Sequence, residues 1–242
     1  MITKLKNVLS FLASTPLHPQ WLLFRHEEQR FKNIAEQASG LVLDIGCSEQ
    51  KLREYLSKDC EYIGLDYPDT ANTMYKTKPT VYGDAQKLTF ADNTFDTISF
   101  LEVLEHLSNP QAAIHECQRV LKPNGKLFFS MPFLYPVHDA PFDFQRLTIH
   151  GLRELFNKNN LKIVDEKLMG KPLMTAMLLA NIALVKTTLK AIEKKHPFFI
   201  LILVLPILIP LLNIIRLIAE EFTPEDNFMA HGYTMELTKV SE

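Results

Sequence analysis

Glycine is scarce in this sequence. Only eight of 242 residues are glycine, few for a fold that turns tightly between strands and helices. Cysteine is scarcer still: Cys47, Cys60 and Cys117, an odd number with no metal-ligand spacing. That excludes a disulfide framework and points to a reducing compartment. An excess of either charge is also missing, with 26 basic against 28 acidic residues. A nucleic-acid surface would need a basic face, so no nucleic acid is expected as a partner. A clear export signal is missing too. Met1–Ala13 is apolar in parts, but Asn7 and Ser10 interrupt it and no small-x-small cleavage site follows. It reads as a short amphipathic helix.

What is present suffices for one α/β domain with a core, plus one insertion. The stretch Leu41-Val-Leu-Asp-Ile-Gly-Cys-Ser-Glu-Gln50 organises it: an apolar strand ending in an acid, then a glycine turn. Lys51 to Lys58 reads as the helix that follows. Strand, turn and helix together present loop amides to a ligand. A second strand ends in an acid at Tyr62-Ile-Gly-Leu-Asp66, where nucleoside-binding folds hold ribose hydroxyls. Tyr82-Gly-Asp84-Ala85 closes a third strand. Phe95 to Leu107 reads as a fourth strand running into a helix, which Arg119 to Gly125 ends. Lys126 to Met131 is a fifth strand. Alternating elements imply a parallel sheet, whose ligands sit at the carboxyl ends of the strands. Asp44, Asp66, Asp84 and Leu101-Glu102 therefore converge on one edge.

Outside this core, residues 19–38 read as a helix stopped by Gly40. Pro132 to Arg146 is a long loop with prolines, aromatics, His138 and two aspartates, a mix typical of functional loops. Leu147 to Asn157 is a helix capped by Thr148, Leu161 to Leu168 a sixth strand, and Phe228 to Lys239 a seventh. Between these two strands, Pro172 to Lys195 reads as a helix with lysines at 186, 190, 194 and 195. Phe198 to Ile215 is nearly pure hydrocarbon, with Asn213 its one strongly polar residue. If the last strand joins the same sheet, the chain must return to the side it left, so a single crossing is forbidden. The first helix looks too lysine-rich for a second span, and Pro206 and Pro210 break backbone bonding. A monotopic hairpin at a membrane interface is expected, its lysines meeting anionic headgroups. A buried homodimer interface is the alternative.

The order and residues from Gly40 to Pro132 resemble the class I S-adenosylmethionine (SAM) dependent methyltransferases, in particular the type 11 group. That resemblance implies a Rossmann-like α/β fold: a seven-stranded, mostly parallel sheet, its last strand antiparallel between the fifth and sixth. The expected division is an N-terminal helical cap (1–39), a SAM-binding core (40–169), a hydrophobic hairpin insertion (170–224) and the final strand (225–242). The cap helix would cover the SAM pocket. Asp44 and the Gly46 backbone, with Cys47, would hold the methionine end; Asp66, with Tyr67, the ribose; Asp84 and Ala85 the adenine; Leu101 and Glu102 the methyl end. The family turn is Asp-x-Gly-x-Gly-x-Gly, whereas here Ser48 and Gln50 replace two glycines.

His138, Asp139 and His106 are the candidate proton acceptors. Glu102, Glu105 and His106 fall at i, i+3 and i+4, on one helical face. That array resembles one in ubiquinone-biosynthesis O-methyltransferases, tied there to a divalent metal and to membranes. Acids equally suit the start of a helix, so no metal is assigned. The loop Tyr135 to Arg146 resembles loops of bacterial methyltransferases of surface-polysaccharide assembly. Together these imply O-methylation of a lipid-linked acceptor, a polyprenyl-linked sugar or a quinone precursor, at the cytoplasmic face of a membrane. A catalytically silent membrane scaffold, or a soluble small-molecule methyltransferase, are the rival readings.

Overall fold

A computed structural model describes residues 12–13, 15–224 and 226–240. The N-terminal amphipathic helix expected over residues 1–13 lies almost wholly outside the described residues. The chain divides into two compact units: residues 31–169 with 231–242, and residues 1–30 with 170–230.

The first unit is built on one seven-stranded sheet. Its strands are β1 (Leu41–Ile45), β2 (Glu61–Asp66), β3 (Val81–Tyr82), β4 (Phe95–Leu101), β5 (Leu121–Pro132), β6 (Leu161–Met169) and β7 (Gly232–Lys239), in the order β3-β2-β1-β4-β5-β7-β6. β1 to β5 pair in parallel; β7 runs antiparallel to both β5 and β6. Val42, Leu43 and Ile45 are all buried, as expected of a central parallel strand covered on both faces. Helix α1 (Trp21–Gln37) sends its second half into this unit. There Phe31 and Ile34 pack with Leu52, Leu56, Leu101 and Phe128. Gly40, at φ 62, ends the approach to β1. Helix α2 (Pro110–Val120) starts as its sequence dictates: Asn109 accepts from the Ala112 amide, and Pro110 takes the first position. Helix α3 (Ile149–Asn157) is capped by Thr148.

One expected helix is not there, and another begins late. Lys51–Glu54 is only a 3₁₀ turn. So short a segment recovers little for its nucleation cost, and Ser57 turns the chain immediately by accepting from Asp59. The helix expected to follow β4 directly begins only at Pro110, as α2. Glu102 is left-handed at φ 55, and Leu104–His106 is a single 3₁₀ turn before α2. Glu102, Glu105 and His106 therefore do not share a helical face.

The second unit contains α4 (Pro172–Glu193), a 3₁₀ segment (Pro197–Leu203) and α5 (Leu205–Phe222). The apolar run from Phe198 is not one rod: its two pieces meet at a bend of 61°. Pro206 explains the break, because a proline in the first turn loses no helical bond and so marks a restart. The helix set aside as a poor span, α4, is by itself long and apolar enough to cross a membrane. Its lysines cluster in the last turns rather than through its length.

α5 is inverted relative to a helix of a water-soluble core. Its buried residues are Ile209, Asn213 and Arg216, two of the three polar. Ile207, Leu211, Ile214, Leu217, Ile218 and Phe222 are exposed, Ile207 at 72% and Phe222 at 80%. The buried Asn213 amide donates to the Pro16 and His18 carbonyls, and its oxygen accepts from Asn181 of α4.

Candidate functional site

The parallel register places the ends of β1, β2 and β4 at one edge of the sheet, with Asp44 opposite Gly64 and Ser99, and Asp66 opposite Tyr82. Asp44, Asp66, Asp84 and Leu101-Glu102 are therefore together at that edge, as expected from alternation alone.

The turn after β1 keeps its shape without its glycines. Gly46, Ser48 and Gln50 all have positive φ, at 72°, 43° and 58°. At Gly46 a Cβ would stand 2.3 Å from Val103 Cγ2, so glycine is required there. Ser48 and Gln50 hold the same backbone with side chains, at a strain of about 1 kcal/mol each. Ser48→Gly should release part of that strain. Its melting temperature is expected to rise by about 1–2 °C with ligand binding retained. A binding loss of about tenfold would instead assign a ligand contact to the Ser48 hydroxyl.

The amides do not all point outward. Gly46 and Cys47 both donate to the Leu65 carbonyl, so these two amides serve the turn itself. Asp66 is buried and well held: Oδ2 accepts from the Ser48 amide, and Oδ1 from the Tyr67 amide and the Thr70 hydroxyl. A carboxylate offers about four acceptor positions, which leaves room for a further hydroxyl. Asp44 takes the Tyr62 hydroxyl at 2.8 Å. Burial pushes its carboxyl up to about 6, because the charged form loses water. A cation placed beside it would restore the charge. Asp84 accepts from the Gln86 amide and side chain, and Gln86 in turn accepts from Ser108 and the Asn109 amide. Ala85 is buried and small.

A second cluster forms where the Pro132–Arg146 loop meets the turn after β4. The Phe144 amide donates to the Glu105 carbonyl, and Gln145 donates to those of Leu104 and Leu107. His106 Nδ1 lies 2.7 Å from the Phe142 carbonyl. A carbonyl only accepts, so Nδ1 carries the proton and Nε2 faces Glu105 Oε1 at 3.6 Å. From the loop side, His138 Nε2 lies 3.8 Å from the same oxygen. The two imidazoles meet edge to face, centroids 4.9 Å apart.

Glu105 is fully buried, and neither oxygen has a hydrogen-bond partner among the described residues. Burial first, then the neighbouring Glu102, pushes its carboxyl up to about 9. At neutral pH it keeps its proton, facing two imidazoles. Burial lowers His138 below its ordinary value, so that it is a neutral base.

His106 and His138 thus come together; Asp139 does not join them. It is exposed and faces the Tyr75 hydroxyl at 3.4 Å. The acid that holds His138 is Asp143, whose Oδ2 accepts the His138 amide at 2.9 Å and lies 3.4 Å from Nδ1. Arg146 clamps Asp143 from the other side and holds it well below the usual carboxylate range, near 2. Asp143 and Arg146 were not singled out in the sequence; their only signal is an i, i+3 charge pair. Glu102 lies outside the cluster, accepting from the Ser130 hydroxyl at 2.6 Å.

Residues 43–129 match the model of a family described as a methyltransferase domain. The ubiquinone biosynthesis O-methyltransferase of Pasteurella multocida is 34% identical over 124 residues, 42% of this chain and 51% of that protein. That of Klebsiella pneumoniae is 30% identical over 122 residues, 45% and 50% of the two chains. The chain spans about half the length of the curated relatives it matches. A SAM dependent methyltransferase from Archaeoglobus fulgidus aligns with a TM-score of 0.55 at 15% identity, covering 90% of this chain and 93% of that one. The 4+2 cyclase SpnF aligns at 0.54 and 16% identity, over 88% and 80%; likeness of that order shows the fold alone.

Fold and sheet edge define a Rossmann-like class I methyltransferase domain, with S-adenosylmethionine as its cofactor. Within that class, residues 43–129 are similar to the type 11 group.

Proposed function

We propose that the chain is a SAM-dependent methyltransferase acting on an oxygen of a lipid-linked or membrane-embedded acceptor, a polyprenyl-linked sugar or a quinone precursor. One observation carries the membrane half of this reading: α5 buries Asn213 and Arg216 and exposes its isoleucines and leucines. That polarity suits hydrocarbon outside and polar contacts between helices. The unit would lie monotopically at the cytoplasmic face, with Lys186, Lys190, Lys194 and Lys195 near anionic headgroups. The similarity to enzymes named for ubiquinone biosynthesis supports the quinone alternative among acceptors.

S-adenosylmethionine supplies a methyl group already activated on a sulfonium sulfur, so the protein binds, orients and removes a proton. Asp44 would pair with the amino end of the methionine moiety, Gly46 giving room beside it and Cys47 lining the turn. Asp66 and Tyr67 would take the ribose, Asp84 and Ala85 the adenine. Leu101 and Glu102 would border the methyl end. His138, half-exposed and neutral, would accept the acceptor hydroxyl's proton. Asp143 and Arg146 fix its ring, and Glu105 keeps a proton beside it.

A second reading has one specific observation behind it. One ligand atom each of Glu105, His106 and His138 lie within 4.8 Å of one another. A carboxylate with two imidazoles suits a divalent transition metal. This set differs from the array Glu102, Glu105 and His106 noted in the sequence, to which no metal is assigned.

Flotation tests the membrane half. The purified chain should rise with vesicles containing anionic phospholipid, and Ile214→Glu with Ile218→Glu should cut that by about tenfold. Full recovery of an active protein in the aqueous fraction would favour the soluble enzyme. Flotation without methyl transfer to any acceptor would favour the silent scaffold.

A further inference from the structure

The helical unit carries a charge that its described residues leave unanswered. Arg216 is fully buried, and Nε, Nη1 and Nη2 are all without a hydrogen-bond partner among the described residues. Its level in the α4–α5 pair is fixed by two cross-links. About a turn toward the N-terminus of α5, Asn213 accepts from Asn181 at 3.0 Å. A turn toward the C-terminus, Lys171 donates to the Glu220 and Thr223 carbonyls at 2.6 and 2.7 Å. Between those links α4 offers Met174, Thr175 and Leu178, all buried, and the Thr175 hydroxyl is also without a partner. Glu220, one turn on, is the acid that bears on Arg216, yet among the described residues its ion pair is with His26. An unpaired buried guanidinium is among the least favourable arrangements a protein interior can hold. Such a group is matched by an anion.

We propose that Arg216 is the receptor for the phosphate head of a single-chain amphiphile, whose hydrocarbon tail lies along the exposed apolar face of α5. The proposal rests on the membrane reading above and adds a ligand site to it. A guanidinium has five N–H donors on two edges. A carboxylate's two oxygens satisfy one edge; the three terminal oxygens of a phosphate ester serve both. The Thr175 hydroxyl, without a partner in the same seam, is a further donor. Ile214, Ile215, Leu217 and Ile218 flank Arg216 in sequence and are exposed, which gives a tail apolar surface immediately beside the head.

Calorimetry on the full chain in neutral maltoside detergent tests this, with decyl phosphate, decanol, decanoate and inorganic phosphate as probes. Decyl phosphate should bind about tenfold or more tightly than decanol or decanoate. Arg216→Gln should lose that preference, while binding S-adenosylmethionine as the unaltered chain does, which shows that it is folded. Inorganic phosphate competing at the same affinity as decyl phosphate would assign the site to a free anion and overturn the amphiphile. Equal binding of decyl phosphate and decanol by the unaltered chain would overturn the site itself, even if Arg216→Gln fails to fold. Flotation on vesicles reads the apolar face separately. A chain that floats but does not discriminate loses only this proposal; one that discriminates but does not float loses only the membrane reading.

Discussion

Replacing Asp66 by alanine is expected to lower the affinity for S-adenosylmethionine by about a hundredfold. Two losses add. The ribose hydroxyls lose a charged acceptor, and the turn after β1 loses the anchor of its Ser48 amide. The Tyr67 amide and Thr70 hydroxyl lose their acceptor as well, so the variant should also melt earlier. Calorimetry with S-adenosylmethionine and S-adenosylhomocysteine reads the binding. Unchanged binding in a folded variant would remove Asp66 from the donor site. No binding even by the unaltered chain would mean that Ser48 and Gln50 have closed the turn, and the silent scaffold would lead.

The same titration run against pH reads Asp44. Its carboxyl sits at about 6 in the folded protein because it is buried. Below that pH it is neutral and cannot pair with the ligand's ammonium, so affinity should fall about tenfold per pH unit. Asp44→Asn should flatten the profile. The sign for stability is opposite. The free folded protein holds this proton more tightly than the unfolded chain does, so its stability falls as pH rises from the unfolded value toward 6. Ligand binding should reverse that loss.

His138→Ala is expected to lower kcat by about 10²- to 10³-fold, with S-adenosylmethionine affinity nearly unchanged. Asp139→Ala should behave as the unaltered chain, because Asp139 faces Tyr75 at the surface. Asp143→Asn should fall between them, since it removes the group that orients the imidazole without removing the base. Dialysis against a chelator separates the two readings of the Glu105 cluster. Activity retained after dialysis supports His138 as a base beside a protonated Glu105. Activity lost, and restored by a divalent cation, supports the metal; His106→Ala should then be as damaging as His138→Ala.

The sequence by itself determined the sheet and the edge at which its carboxylates meet. Alternating strands and helices force a parallel arrangement, and a parallel arrangement puts every strand's carboxyl end on one side. Asp44, Asp66, Asp84 and Glu102 needed no tertiary information to be grouped. Tertiary structure alone decided what each of them touches. The helix expected directly after β4 starts only at Pro110, behind a 3₁₀ turn, so Glu102 goes to Ser130 and Glu105 turns inward. The loop from Pro132 to Arg146 has no periodicity, so nothing local could say that Asp143, rather than Asp139, would hold His138. Ser48 and Gln50 keep left-handed backbone because the surrounding strand and turn impose it, against their own preference. The same limit applies to the apolar run. Eighteen residues with one strongly polar side chain have no amphipathic period, so sequence could not choose their buried face. Packing against α4 chose it, and put Asn213 and Arg216 inside.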